Sequence, residues 1–255
     1  MRCTFVGHST LLLQSGADAV LTDPLLTARI MMKKRATAPG VAPQDLPKLT
    51  AITISHAHTD HLHLPSLKLL PRDCMLIVPV GVAPFVRGLG FIEVRELAWG
   101  DSCTAGAFTI TAIPVNHVRG RFFPWQDTGV NSYVISDGAH AFFAAGDIDF
   151  GPSPEMAQLA DRFVLSAAAL PVGGMREVAY YVARRGKKGV HIDPRTAWEL
   201  FLQTGARMMV PIHWGVVRMA RTPVREPVDT VLEVARAHQM ADRVKVLAPG
   251  EAWEL

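Results

Sequence analysis

The chain has 255 residues, 49% hydrophobic and 19% charged, which is enough to bury a sizeable core and too apolar for a disordered chain. Its net charge of +3 falls short of the dense basic face that a nucleic-acid binder carries. Cys3, Cys74 and Cys103 are far apart and form no CxxC pair, which argues against a disulfide scaffold or a thiolate zinc site.

In chain order, the first half reads as short strands. "TFVGHSTLLLQ" (4–14), "AVLTDP" (19–24) and "LTAITIS" (49–55) are apolar and β-branched, and "SGAD" between the first two suits a hairpin. The N-terminal apolar run is broken by Gly7, His8 and Ser9, so it does not read as a signal peptide. No stretch reaches the roughly 18 apolar residues of a membrane span, and a soluble cytoplasmic protein is expected. The segment 27–47 is long, irregular and carries Arg29, Lys33, Lys34 and Arg35; loops of that length are often functional. "LPSLKLL" (64–70) reads as a short helix, "CMLIVP" (74–79) as a buried strand, and "GVAPFVRGLG" (81–90) as a helix closed by glycine. "VRELAWGD" and "AFTITAIPV" are further strands.

The second half opens with a hairpin around Asp137-Gly138, a strong turn dipeptide. "PEMAQLA" (154–160) then reads as helix and "RFVLSAAALPVG" (162–173) as strand. "DPRTAWELFLQTG" carries helix signals at both ends: Asp193 as cap, Pro194 at the first position and Gly205 after the last. "ARMMVPIH" is a strand, "PVDTVLEVARAH" a helix, and "RVKVLAPGEAWEL" a final pair of strands.

Against this background "TISHAHTDHLH" stands out, with His56, His58, Asp60, His61 and His63 inside eight positions. Side chains two apart on an extended backbone point the same way, so His56 and His58 can converge just past a strand end. Asp60 and His61 follow one turn later. Imidazole plus carboxylate is a ligand set for zinc, iron or manganese. One loop cannot complete two coordination spheres. His117, Asp147 and His213 each follow an apolar strand directly and are the candidates for the missing ligands.

"SHAHTDHLH" with these partners resembles the HxHxDH signature of the metallo-β-lactamase superfamily. The neighbouring words "FVGHSTLLLQ", "VLTDPLL", "NHVRGRFF", "AAGDIDF" and "HIDPRTAWELFLQTGARMMVPIHWG" resemble its N-acylphosphatidylethanolamine phospholipase D branch, and ascorbate-6-phosphate lactonases share much of the layout. The resemblance implies one domain over 1–255, a four-layer αββα sandwich, and two divalent metals, zinc or else manganese or iron, at the edge between the sheets. It places His56, His58 and His117 on one metal, Asp60, His61 and His213 on the other, and Asp147 between them. It makes Asp23 a partner of a ligand histidine, turns His8 towards the metal cleft, and sets His191 beside a substrate phosphate. Three positions depart from the family pattern: Ile148 and Asp149 stand where Thr or Ser and then Gly are usual, and His63 stands where Asp is usual.

The implied activity is metal-dependent hydrolysis, first of all of a phosphodiester of phospholipid type. A pair of metals lowers the pKa of a bridging water to about 7, and Asp60 would orient the resulting hydroxide. Asp60, His191 and His8 are the catalytic candidates. A lactonase acting on a sugar phosphate is the alternative. A mononuclear-iron thiol dioxygenase or a non-catalytic binding protein would be expected to lack part of the ligand set. Nucleic acid is not an expected partner. His191 precedes a helix N-terminus, which attracts anions through its free N–H groups, and the Arg29–Arg35 run could touch a lipid surface. His63 reads as exposed or as supporting a ligand, His140 as structural and His238 as solvated, while the glycines at 173–174 suit a turn close to the site.

Overall fold

A computed structural model describes residues 1–30, 32–122, 125–149, 156, 158–173, 191–216 and 223–255. In chain order come β1 (Arg2–Gly7), β2 (Thr10–Ser15), β3 (Asp18–Thr22), the small hairpin β4 (Arg29–Ile30) and β5 (Lys33–Lys34), β6 (Ala51–Thr53), α1 (Leu64–Leu67), β7 (Met75–Pro79), α2 (Ala83–Val86) and β8 (Glu93–Leu97). Then follow β9 (Ser102–Ala105), β10 (Phe108–Ile113), the hairpin β11 (Arg121–Phe122) and β12 (Trp125–Gln126), β13 (Ser132–Ser136), β14 (Ala141–Ala144), α3 (Leu159–Arg162), β15 (Ala167–Pro171), α4 (Pro194–Thr204), β16 (Met208–Ile212), α5 (Glu226–Ala237) and β17 (Ala252–Glu254). One sheet runs β17-β1-β2-β3-β6-β7-β8 and the other β16-β15-β14-β13-β10-β9.

Alternation along the strands sorts the side chains into three cores. Phe5, Leu11, Leu13 and Val20 of the first sheet meet Phe108, Ile110, Tyr133, Ile135 and Phe142 of the second between the sheets. The intervening residues of the first sheet, such as Leu12, Leu21, Ile52 and Leu76, pack outward with Leu67 and Val86 of α1 and α2. Those of the second sheet, Val134, Phe143 and Ala168, pack outward with Trp198 and Phe201 of α4 and Val228 and Val231 of α5. The central strands are therefore covered on both faces and read as continuous apolar runs, while the edge strands β8 and β9 keep exposed residues. The result is the αββα sandwich.

The structure revises several local expectations. "TFVGHSTLLLQ" is not one strand: β1 and β2 are antiparallel partners, and the chain reverses at Gly7 (φ 128°) and His8 (φ 60°). "RVKVLAPGEAWEL" supplies only β17, and its first half makes a single bridge from Val244 to Met209. Residues 154, 155 and 157 of "PEMAQLA" lie outside the described residues; within them α3 starts at Leu159. The hairpin at Asp137 forms as expected, with its Oδ1 accepting the N–H groups of Ala139 and His140. The α4 boundaries also hold, since Asp193 Oδ1 accepts the N–H groups of Arg195 and Thr196 at 2.9 Å each and Gly205 closes the helix at φ 68°.

Because that cap satisfies two otherwise unpaired donors, Asp193→Ala should lower stability by about 1 kcal/mol. The check is a lower denaturant midpoint at unchanged m-value.

Candidate metal centre

β3 and β6 run parallel, and β1 lies two antiparallel steps from β3, so all three end at one edge of their sheet. β10, β14, β15 and β16 share a direction in the other sheet by the same reasoning. His8, Asp23 and Ser55-His56 follow the first set of ends; His117, Asp147 and His213 follow the second. The two edges are sewn together where the His213 N–H donates to the His8 carbonyl at 2.9 Å.

Three of these positions, His8 (φ 60°), Asp23 (φ 37°) and His213 (φ 59°), and also His191 (φ 69°), carry left-handed backbone on residues with a Cβ. Each such conformation costs on the order of 1–3 kcal/mol and persists only where the surroundings impose it. At Asp23 the N–H donates to Thr53 and the carbonyl accepts the Thr10 hydroxyl. Close approach elsewhere is served by glycine: a Cβ on Gly146 would lie 2.6 Å from Ser55, and one on Gly173 would collide with the His213 carbonyl. Gly173 thus serves the site as its position after β15 suggested.

The buried Asp147 carboxylate is the hub. Its Oδ2 lies 3.1 Å from His61 Nε2, 3.4 Å from His191 Nδ1, 3.7 Å from His56 Nε2 and 3.8 Å from His117 Nε2, and its Oδ1 is 3.3 Å from His213 Nε2. His58 Nδ1 sits 2.9 Å from His56 Nε2 and 3.1 Å from His117 Nε2. Asp60 Oδ2 is 3.0 Å from His8 Nε2, 3.6 Å from His213 Nε2 and 3.8 Å from His61 Nε2. Two four-residue clusters result, His56, His58, His117 and Asp147 in one and His8, Asp60, His61 and His213 in the other, and two smaller groups overlap them, His117 with Asp149 and His191, and Asp147 with His191 and His213.

A second layer sets the ring orientations. Asp23 accepts the Ser55 N–H and the Ser55 hydroxyl, both at 2.7 Å. With its proton committed there, the Ser55 oxygen can only accept from His56 Nδ1, 2.9 Å away, which leaves the His56 Nε2 lone pair facing the cluster. Asp23 Oδ2 holds His61 Nδ1 at 2.8 Å, and Asp149 Oδ1 lies 2.9 Å from His117 Nδ1, so both rings turn Nε2 to the cluster. The Asn131 N–H and the Tyr133 hydroxyl fasten the carbonyls of Ser55 and Ile54.

This arrangement fits a metal cation. Ring nitrogens at 2.9–3.1 Å from one another come close to the edge of a tetrahedron with Zn–N bonds of about 2.0–2.1 Å. Burial, joined by the neighbouring His61, His117 and His58, pushes the His56 imidazole well below its usual range, and burial with His117 lowers His58 to about 4. Both are neutral and able to donate a lone pair. Burial would raise the Asp147 carboxyl, but His213, His61 and His191 outweigh it and keep the group ionised. Burial would lower His61 and His213, but Asp147 with Asp23 and Asp60 outweighs it and raises both, so protons there stand where a cation would bind. The buried atoms His61 Nε2, His213 Nε2 and Asp147 Oδ1 have no hydrogen-bond partner among the described residues.

Residues 18–214 match the Beta-lactamase superfamily domain. The chain belongs to that superfamily. An uncharacterised protein of Mycobacterium tuberculosis is 31% identical over 97% of this chain and 67% of its own length. The N-acyl-phosphatidylethanolamine-hydrolyzing phospholipase D 1 of Caenorhabditis elegans is 27% identical over 98% of this chain and 75% of that one. Among solved structures, the metallo hydrolase Igni18 of Ignicoccus hospitalis superimposes with a TM-score of 0.72 at 19% identity, over 100% of this chain and 98% of that one. The chain is thus a metal-dependent hydrolase of the superfamily with a His/Asp metal-binding cluster.

Every residue expected at the site is gathered there, and some expected surroundings differ. His63 is buried and caps α1, its Nδ1 accepting the Ser66 N–H, so it is not exposed. Arg35 is buried and donates to the Leu25 and Thr37 carbonyls, which removes it from the basic surface run; Arg29, Lys33 and Lys34 remain exposed. The helix N-terminus after His191 offers an anion fewer free N–H groups than expected, because Asp193 occupies two of them. Sequence reasoning missed Ser55 and the supporting role of Asp149. The adjacency of Ser55 to His56 and the departure at Asp149 were the available signals.

His58→Ala and Asp147→Ala should each sharply reduce metal content and lower the melting temperature of metal-loaded protein towards that of chelator-treated protein, because ligand binding to the folded state stabilises it. Elemental analysis with thermal melts checks this. Since protons on His61 and His213 must leave, metal affinity should fall as pH is lowered, as read by competition with a chelator.

Proposed function

We propose that the chain is a phosphodiesterase of phospholipase D type with a binuclear centre. The observation that carries the reading is the similarity over 98% of the chain to a phospholipase D that hydrolyses N-acyl-phosphatidylethanolamine. The two side-chain clusters that share the region around Asp147 support a pair of divalent metals, His56, His58 and His117 holding one, Asp60, His61 and His213 the other, and Asp147 both. Bound there, the metals would supply Lewis acidity for water activation and for the attacked phosphoryl oxygen.

The chain's own residues then do the following. Asp60 stands between His8, His61 and His213 and would orient the attacking water. His8 acts on Asp60 rather than on substrate; burial, joined by the charge of His213, lowers its pKa to about 4 and keeps its ring neutral. Its hydrogen bond would hold one carboxylate oxygen in place. His191, beside Asp147 and His213, would contact the substrate phosphate. Its burial lowers its pKa, so a neutral ring would donate a hydrogen bond there. For a lipid substrate, the exposed hairpin carrying Arg29, Met32, Lys33 and Lys34 is the surface we assign to the interface; Met32 is 87% exposed. No helix among the described residues is long and apolar enough to cross a membrane.

Asp60→Asn should lower kcat and kcat/KM alike, as expected for an interaction made only in the transition state; a raised KM at normal kcat would remove Asp60 from this role. His191→Ala should slow phosphodiester cleavage about 10- to 100-fold with normal metal content, the loss of one hydrogen bond to a charged group. If that variant cleaves phosphodiesters normally and loses turnover of a sugar-phosphate lactone, the lactonase reading replaces this one.

A further inference from the structure

Asp149 is a carboxylate that the resemblance did not account for, since the family pattern has glycine at that position. Its side chain is 1% exposed. Both carboxylate oxygens and the backbone N–H are in use. Oδ1 lies 2.9 Å from His117 Nδ1 and accepts the His191 N–H at 2.9 Å. Oδ2 accepts the Val118 N–H at 2.8 Å, and the Asp149 N–H donates to the Asn116 carbonyl at 3.0 Å. One residue earlier, the Ile148 carbonyl accepts the Ile192 N–H at 2.8 Å. The chain at 148–149 is therefore the common anchor of the His117 loop and the His191 turn, which come from widely separated parts of the sequence.

The second tie has a physical reason to exist. His191 has left-handed backbone (φ 69°) on a residue with a Cβ, a conformation that must be held from outside. The Asp149 carboxylate supplies a charge-assisted acceptor for the N–H of that residue. The first tie resembles that of Asp23 with His61 in placing a carboxylate oxygen against Nδ1, on the side of the ring away from Nε2, here as a close charge contact at 2.9 Å.

We infer that Asp149 is a positioning residue with two loads: it presents His117 Nε2 to the metal and holds the His191 turn against Asp147. The same carboxylate thus links the metal ligands to the group assigned to the substrate. The inference rests on the metal reading of the His117 cluster but on no choice of substrate.

The test uses the full chain with zinc and with cobalt, comparing wild type, Asp149→Asn and Asp149→Ala. Three readouts are needed: metal affinity by competition with a chelator, the visible absorption spectrum of the cobalt-loaded protein, and hydrogen exchange at the amides of His191 and Ile192. Loss of an outer partner of a ligand histidine typically weakens metal binding about 10- to 100-fold. Asp149→Ala should do so, with an altered cobalt spectrum and faster exchange at 191–192. Asp149→Asn keeps the shape but loses the charge and can accept only one of the two backbone N–H groups, and should fall between; it carries the test if the alanine variant does not fold. If both soluble variants keep wild-type affinity and spectrum and only the melting temperature falls, Asp149 is structural and the inference is overturned. Wild-type protein that takes up no metal overturns it together with the metal reading.

Discussion

The structure depends on one constraint: a cluster of imidazoles and carboxylates is buried at a single edge, and most of its members have one another as their nearest polar neighbours. Asp147 lies within 3.8 Å of ring nitrogens from five histidines. An ionised carboxylate buried in this way is tolerated only when paired, and the pairing here is with groups that prefer to be neutral once desolvated. A divalent cation resolves the conflict, because it neutralises the carboxylates and uses the lone pairs of neutral rings at the same time. Without it, His61 and His213 have to carry protons to do the same work.

The rest of the sandwich can be understood as support for that cluster. Two sheets packed face to face through Phe5, Phe108, Tyr133 and Phe142 make a rigid floor, and strands that share a direction deliver their C-terminal ends to one edge. Ligands and their partners therefore sit in short segments whose ends are fixed, as in open α/β sheets generally. The left-handed residues His8, Asp23, His191 and His213 mark where the chain is forced off its preferred path, and the backbone bonds and buried carboxylates around them are what hold it there.

Division of labour among the carboxylates follows from their surroundings. Asp147 and Asp60 face ring nitrogens inside the clusters. Asp23 and Asp149 face the opposite nitrogens of His61 and His117 and also bind backbone N–H groups, so each fixes a ring and a loop together. The same fold can carry different chemistry when the loops around such a centre change. In this chain the loops add His191 on one side and an exposed basic hairpin around Met32 on the other, and the reading as a phosphodiesterase is built on both.

Much of this was legible in the sequence. The spacing of His56, His58, Asp60 and His61 after a β-branched strand is a local pattern, and so are the apolar runs that end at His117, Asp147 and His213. Local pattern also gave α4, because Asp193, Pro194 and Gly205 act on their own helix. Tertiary structure decided what depends on contacts between distant segments. The reversal at Gly7-His8 could not be read from an apolar run, since nothing local distinguishes a strand from two strands folded against each other. Arg35 looked like surface charge until the Leu25 and Thr37 carbonyls closed over it, and His63 looked free until it capped α1. Asp149 showed only as an unexpected letter beside Asp147. Its partners, His117 and the His191 N–H, lie 32 and 42 positions away in sequence, and packing of the two loops against one strand end is what brings them to it.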